Sequence, residues 1–242
     1  MIFGNIKLED ITEFITLFKS KVNFSEEYSY VIRAQFGVPN CSSQAWITCI
    51  EYLRQIDGYN YETFSVMYEY YMTRLITNHE KEIVPTYIED SLESLFLNGA
   101  IHASGVHISL EAINTKPSLN KIKDGQSRII NKTMSPKRLE IDINVFKYVI
   151  SEMNVPFVAV IYTDKRKMAN DYLKIFKHEE SDVKDTLHAI CIIGYDDDEE
   201  VFIFQNSYGK DWHFGGFGKI HYSYIGNITK AIAIEKTCVK SC

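Results

Sequence analysis

The spacing of apolar residues changes from a helical period in the first half of the chain to strand-like runs in the second. In the first half, apolar residues recur every three or four positions over about 45–56, 64–75 and 88–96, as on the buried face of an amphipathic helix. Gly58 and Gly99 follow the first and third runs, and a glycine just after the last apolar position commonly ends a helix. We therefore predict three amphipathic helices.

The second half predicts one more helix, at about 143–153, and then four strands. The strand-like runs are rich in β-branched and aromatic residues and read VPFVAVIY, HAICIIGY, VFIFQN and GKIHYSYI. A polar stretch at about 114–137 separates the two halves and is predicted to be a loop. A helical lobe followed by a lobe made of a sheet or partial barrel is an α+β fold, with a cleft between the lobes as the natural place for a site.

Composition argues against nucleic-acid binding and against insertion into a membrane. The formal net charge is -6, and the basic runs TDKRK and SPKRL are short and isolated, whereas nucleic-acid binders usually carry a basic stripe. We interpret both runs as solvated loop or helix faces. No apolar stretch approaches the roughly 18 residues that span a bilayer, and the N-terminus lacks a signal sequence. We expect a soluble cytoplasmic protein, and the sequence makes no prediction of its oligomeric state.

The cysteines do not follow the pattern of a disulfide framework or a zinc site. Their number is odd, and only Cys238 and Cys242 are closely spaced. No second Cys or His pair completes a zinc pattern, so we expect reduced thiols, no metal and no cofactor. Cys49 lies on the apolar stripe of the first predicted helix and Cys191 in a predicted strand; Cys49 is predicted to be a core residue.

Cys41 differs from these because it stands just before the first predicted helix, after Pro39 and Asn40. The unpaired amides and partial positive charge at a helix N-terminus stabilise a thiolate and lower the pKa of a thiol. The position therefore suits a nucleophile. It also suits a buried residue at the start of a helix, and the position alone does not decide between the two.

A base for such a nucleophile, and a partner to orient it, occur together in LHAICIIGYDDDEEVFIFQNSYG. If residues 196–198 form a three-residue hairpin loop, Tyr195 lies opposite Glu199 and His188 lies opposite Asn206. The Asn206 oxygen would then fix the tautomer of His188 and leave its other ring nitrogen facing a thiol. A loop one residue longer would put the two side chains on opposite faces. The remaining histidines are predicted to be surface or structural: His79, His102, His107, His178, His213 and His221.

Two segments resemble the papain-like cysteine peptidases, particularly their prokaryotic and viral-type branch. The segment IRAQFGVPNCSSQAWITCIEYL is similar to the family's nucleophile segment, with Gln35 six residues before Cys41. The segment from His188 to residue 225 is similar to the family's His-Ala strand, Gly-Tyr hairpin and Asn-Ser-aromatic-Gly turn, which begins here at Asn206. The likeness covers about 30–225 and keeps the order Gln, Cys, His, Asn.

The resemblance implies a papain-like catalytic domain at 31–236, with a helical lobe at about 31–115 and a β lobe at about 116–236. It implies that Cys41 attacks a peptide carbonyl as a thiolate paired with protonated His188, in a peptide or protein substrate. Asn206 would orient the histidine, and the Gln35 side-chain amide would donate a hydrogen bond to the oxyanion. Trp212 is expected to shield the contact between histidine and asparagine, to pack in the core, or both.

Some segments depart from the family pattern or lie outside it. Phe36, Val38 and Pro39 occupy a loop in which the family has small residues, and VPTYIED stands where the family has a glycine-rich segment that pairs with substrate. Residues 1–30 contain IKLEDITEFITLFKSK, which we interpret as a helix that packs on the body and covers the cleft, and residues 237–242 form a tail. The leading hypothesis is an active cysteine peptidase. The alternatives are a catalytically silent fold that acts as a binding or regulatory module, and a Cys-His acyl transferase or amidase.

Overall fold

A computed structural model describes residues 1–103, 113–127, 134–164, 175–177 and 186–236. Within these residues, helices predominate in the first half and a mostly antiparallel sheet in the second, which confirms the predicted α+β class. The helices are α1 Leu8–Ile11, α2 Phe24–Glu27, α3 Cys41–Ile56, α4 Val66–Ile76, α5 Ile88–Asn98, α6 Leu119–Ser127 and α7 Ile143–Ser151. The strands are β1 Gly4–Ile6, β2 Lys21–Asn23, β3 Met134–Leu139, β4 Phe157–Thr163, β5 Ile175–Phe176, β6 Thr186–Asp196, β7 Val201–Gln205, β8 Phe217–His221 and β9 Ile228–Lys236.

Helices α3, α4, α5 and α7 form where the apolar spacing predicted helices. At the end of α5, Gly99 has a φ of 64° and its amide donates to the Leu95 carbonyl at 3.0 Å. Only glycine adopts this left-handed conformation without strain, which explains why the helix ends there. At the start of α7, the Asp142 carboxylate accepts hydrogen bonds from the amides of Asn144 and Val145 at 2.7 and 3.3 Å. This is an N-cap, and it fixes the first turn of the helix.

The sheet has the strand order β1-β3-β9-β4-β6-β7-β8-β5, and β2 adds to one end of β6. Helices α3 and α7 both contact β6, so the segment of Cys41 and the strand of His188 share one core. The Trp46 indole in this core donates a hydrogen bond to the Ile88 carbonyl at 2.7 Å, which joins α3 to the start of α5. Among the described residues, every helix is too short or too polar to cross a bilayer.

The interpretation of IKLEDITEFITLFKSK as one helix is wrong. Residues 4–6 and 21–23 are strands, and only short helical turns lie between them. Strand β1 pairs with β3, and β2 pairs with Gly194–Asp196, so backbone hydrogen bonds to distant strands override the local helical spacing. The paired end of β6 is six residues from His188, or about 20 Å along the strand. Strand β2 therefore lies away from the histidine.

Two other predictions in the second half also require correction. The stretch at 114–137 is not a loop throughout, because it contains α6 and the start of β3. The run SPKRL lies within β3, where Leu139 is buried and the segment pairs with β9, so it is not a solvated loop or helix face. The run GKIHYSYI is a strand only as far as His221. The His221 side chain then accepts a hydrogen bond from the Ser223 amide and begins a 3-10 helix, Tyr222–Asn227.

Candidate active site

Cys41 is the first residue of α3, and its thiol contacts His188. Burial raises the pKa of the Cys41 thiol, but a hydrogen bond and the positive charge of His188 act in the opposite direction. Hydrogen bonds from the backbone of Ala189 and Ser42 also favour the thiolate, and the net pKa lies below its ordinary value. The sequence prediction that a helix start carries this cysteine agrees with the structure, and the histidine supplies the larger part of the lowering.

His188 and Asn206 form a buried hydrogen bond. The His188 Nε2 atom lies 2.8 Å from Asn206 Oδ1, and the two residues are 3% and 4% exposed. The same Oδ1 accepts a hydrogen bond from the Ser207 amide at 2.8 Å, which identifies this atom as the oxygen of the amide group. Because an amide oxygen can only accept, Nε2 carries a proton, and Nδ1 is left for the contact with Cys41.

The hairpin register that led to this pair was predicted incorrectly. Asp196 pairs with Val201, so the loop consists of Asp197–Glu200 rather than residues 196–198. This four-residue loop is stabilised because the Asp196 carboxylate accepts hydrogen bonds from the amides of two loop residues, at 3.1 and 3.3 Å. A bulge between Ile192 and Gly194 then shifts the register by one residue. The two changes together keep His188 and the residue after β7 on one face of the sheet.

Gln35 lies in a tight turn that is bonded to the segment after Asn206. The turn closes with a 2.9 Å hydrogen bond from the Val38 amide to the Gln35 carbonyl, and both central residues, Phe36 and Gly37, have positive φ. The Gln35 side chain accepts a hydrogen bond from the Ser207 hydroxyl at 2.6 Å and donates one to the Val38 carbonyl at 3.0 Å. The backbone amide of Gln35 also donates a hydrogen bond to the Ser207 carbonyl at 2.8 Å. Gln35 is therefore fixed relative to the residue that follows the asparagine.

Tyr208 packs against the histidine, in a position that we expected Trp212 to occupy. The rings of Tyr208 and His188 lie 5.0 Å apart, and Trp212 packs edge-on against Tyr208 at 5.8 Å. Burial, and the negative charge that Cys41 carries as a thiolate, raise the pKa of Tyr208 to about 12. Trp212 is buried against Phe204 behind this ring. In the sequence, the signal that could have identified Tyr208 was its place as the aromatic residue of the Asn-Ser-aromatic-Gly turn.

The first turn of α3 is also fixed to the segment VPTYIED. The Ser42 hydroxyl donates a hydrogen bond to the Thr86 carbonyl at 2.5 Å, and Thr86 Oγ1 lies 3.4 Å from the Ser91 hydroxyl. The Thr86 carbonyl is therefore already engaged by the protein. Sequence reasoning did not identify Ser42 as a contact between the two segments.

Behind this turn, Glu69 of α4 is a buried carboxyl group that the sequence analysis also missed. It is 1% exposed, and the Thr73 hydroxyl donates to its Oε1 atom at 2.6 Å. Burial raises the pKa of Glu69 to about 7, although the hydroxyl groups of Ser43, Thr73 and Ser91 act in the opposite direction. The signal was an acidic residue in an otherwise apolar stretch of a predicted helix.

The other histidines and cysteines take part in separate contacts. His79, His102 and His221 lie 3.6, 3.6 and 3.3 Å from the carboxylates of Glu82, Glu62 and Glu200. Cys49 is fully buried, which confirms its prediction as a core residue, and Cys191 is buried beside it. His107, His178, Cys238 and Cys242 lie outside the described residues. Across the described ranges, no three His, Cys, Asp or Glu side chains are grouped as a metal ion would require.

The sequence profile described as papain family cysteine protease matches residues 25–239. An uncharacterized peptidase C1-like protein of Acanthamoeba polyphaga mimivirus is 32% identical over 40 residues, which are 16% of this chain and 13% of that protein. The match therefore spans a small part of both chains.

Solved structures share the fold. Xylellain, a cysteine protease from Xylella fastidiosa, superposes with a TM-score of 0.80 at 20% identity, covering 97% of this chain and 91% of the other. A cysteine protease of Carica candamarcensis superposes with a TM-score of 0.65 at 16% identity, covering 90% of this chain and 99% of the other. At these identities the likeness shows a common fold.

Proposed function

Because the chain belongs to the papain family of cysteine proteases, we propose that it hydrolyses peptide bonds with Cys41 as the nucleophile and His188 as the acid and base. The observation that carries this proposal is the position of His188, which contacts the Cys41 thiol on one side and Asn206 Oδ1, at 2.8 Å, on the other. A protonated histidine held in this way stabilises a thiolate, which is the reactive form of cysteine.

In the first half of the reaction, the Cys41 thiolate attacks the carbonyl carbon of the peptide bond, and the carbonyl oxygen becomes an oxyanion. The tetrahedral intermediate then collapses, and the bond to the nitrogen breaks. His188 gives its Nδ1 proton to the departing amine. The product is a thioester between the substrate acyl group and the cysteine.

In the second half, His188 accepts a proton from a water molecule while the oxygen of that water attacks the thioester carbon. Collapse of the second intermediate breaks the carbon-sulfur bond, releases the carboxylic acid and restores the ion pair. Asn206 keeps the ring in one orientation in both halves. Because the asparagine oxygen holds the proton on Nε2, the proton that moves is the one on Nδ1.

Gln35 is proposed to stabilise the oxyanion. Its Nε2 atom has two hydrogens, and the Val38 carbonyl at 3.0 Å engages one of them. The second hydrogen is available to the oxyanion, together with the backbone amide of Cys41 at the start of α3. The hydrogen bonds between Gln35 and Ser207 support this role, because they hold the donor in place before substrate binds.

The test compares thiol reactivity and peptide hydrolysis in matched variants. We expect iodoacetamide to label Cys41 faster than free cysteine at about pH 6, because the ion pair maintains a thiolate there. Cys41→Ala should abolish the rapid labelling and the turnover while the circular dichroism spectrum stays the same. The control variant Cys49→Ala removes a buried thiol and should retain rapid labelling. Labelling of Cys41 at the rate of free cysteine would refute the proposal.

Product analysis with a fluorogenic peptide distinguishes hydrolysis from acyl transfer. Hydrolysis yields the free acid, and its rate should not depend on an added amine. If the acyl group instead appears mainly on the amine, the chain transfers acyl groups through the same thioester. Residual hydrolysis in His188→Ala at the wild-type rate would assign the base to another residue.

A further inference from the structure

A small polar cavity lies next to Asn206, between the nucleophile helix and the strands of the sheet. It has a volume of about 10 Å³, measured as the space open to the centre of a water molecule. Its walls include Arg33, Gln44 of α3, Ala189 of β6, and Asn206 with the residue that follows it. All of the lining residues except Arg33 are buried. The cavity therefore adjoins the site but lies under its surface.

Polar atoms of three lining residues are buried there without a hydrogen-bond partner among the described residues. They are Arg33 Nη1, both side-chain polar atoms of Gln44, and Asn206 Nδ2. The other ends of two of these side chains are engaged, because Arg33 Nη2 pairs with the Glu51 carboxylate and Asn206 Oδ1 contacts the histidine. Buried polar groups are nearly always paired in native proteins, by protein or by ordered water.

We propose that this cavity binds one water molecule, and that Gln44 and Arg33 act through it as positioning residues for Asn206. The water would accept hydrogen bonds from Asn206 Nδ2 and Arg33 Nη1 and donate one to Gln44 Oε1. A buried water needs room for about one probe sphere, roughly 10–15 Å³, and two to four polar partners. The cavity offers this room and three donors and one acceptor, of which the water would engage two donors and the acceptor.

The water would affect the reaction, which rests on the proposed function, because it favours one orientation of the Asn206 side-chain amide. Rotating the Asn206 amide by half a turn would place Nδ2 against His188 Nε2, so that two donors would face each other. A water that accepts from Nδ2 opposes this rotation and keeps Oδ1 at the ring. Gln44 thus supports the ion pair without touching the reacting atoms, as outer hydrogen-bond partners do in other sites.

The test combines a high-resolution crystal structure with the pH dependence of iodoacetamide labelling. Gln44→Leu keeps the size of the side chain and removes the acceptor, and Gln44→Glu keeps an acceptor. Ser43→Ala is the matched control, since Ser43 is the adjacent buried residue of α3 and does not line the cavity. The charged and titratable groups near Cys41 are His188, Tyr70 and Tyr208, and the Arg33–Glu51 pair lies at the cavity; all variants retain them.

In the wild-type protein we expect an ordered water within hydrogen-bond distance of Gln44, Arg33 and Asn206. Gln44→Leu should lose it and raise the pH midpoint of Cys41 labelling by about one unit, because the charged ring is held less firmly. Its kcat should fall about tenfold with little change in KM. The labelling midpoint of Gln44→Glu should lie closer to the wild-type value than that of Gln44→Leu, and the midpoint of Ser43→Ala should equal the wild-type value.

Other results would overturn the inference. A wild-type structure in which Gln44 bonds directly to Arg33 or Asn206 and fills the cavity removes the water site. A water that is present in the wild type, combined with an unchanged labelling midpoint in Gln44→Leu, removes the positioning role. If Gln44→Leu does not fold, the wild-type structure and Gln44→Glu still decide. Failure of Cys41 to label rapidly in the wild type would refute the proposed function alone, since the crystal structure tests the water separately.

Discussion

Replacing Glu69 with glutamine should make the stability of the protein less dependent on pH. The Glu69 carboxyl is 1% exposed in α4, and burial raises its pKa from the ordinary value of 4.5 to about 7. Between these two values the folded protein holds a proton that the unfolded chain has released. The interval of about 2.5 pH units corresponds to about 3 kcal/mol in the free energy of unfolding, at ~1.4 kcal/mol per unit.

The sign follows from the direction of the pKa change. Stability rises with pH where the unfolded state binds more protons, and here the folded state binds more. Glu69 therefore lowers the free energy of unfolding as pH increases from about 4.5 to about 7, and this loss remains at higher pH. Glutamine does not titrate, so the stability of Glu69→Gln relative to the wild type should increase over this window.

The measurement is urea unfolding at several values between about pH 5 and pH 8, followed by circular dichroism. Both proteins should carry Cys41→Ala so that self-cleavage does not contribute. Taking the difference between variant and wild type cancels every group that the two share. The control Glu27→Gln replaces an exposed carboxylate of α2 and should give a constant difference. A difference for Glu69→Gln that is the same at both ends of the range would refute the assignment of a buried, protonated carboxyl.

Further predictions concern single side chains elsewhere. Gly194→Ala should destabilise the protein, by about 1–3 kcal/mol in urea unfolding, because its Cβ would lie 2.2 Å from a carbonyl oxygen of β2. Asp142→Ala should cost about 1 kcal/mol in the same assay through loss of the α7 cap, and Asp142→Asn should recover most of it. Gln35→Ala should lower kcat about 10²–10³-fold, and a loss below tenfold would refute its role as oxyanion donor. Tyr208→Ala should lower kcat/KM by admitting water to the histidine, whereas Tyr208→Phe should not, because the ring provides the contact.

The long helices could be predicted from the sequence because their signals are local. The apolar spacing of α3, α4, α5 and α7 is local, and so are the side-chain caps that begin α4 and α7 and the glycines that follow α3 and α5. The short strands could not be predicted in this way. Strand β2 has three residues, and it is a strand because its backbone completes the hydrogen bonds of Gly194–Asp196 on a strand that follows about 170 residues later. No local pattern in KVN carries that information.

The residues of the candidate site differ in the same way, because some have a local signal in the sequence and others depend on contacts between distant segments. Cys41 could be placed at a helix start, because the apolar period that begins after it is a local signal. The contact of Tyr208 with the histidine could not be predicted, because it depends on how the turn after β7 folds back onto β6. The burial of the Gln44 and Glu69 side chains likewise depends on packing between segments that are distant in sequence.

The contact between His188 and Asn206 was predicted from the wrong register, and the reason is the two-residue period of a strand. Side chains stay on one face after any even shift, so the contact survives a shift of two residues but not of one or three. The Asp197–Glu200 loop alone shifts the pairing by three, and the bulge near Ile193 reduces this to two. Continued past the ladder, the resulting register sets Tyr208 opposite His188, in agreement with their ring contact, and leaves Asn206 as the diagonal neighbour on the same face.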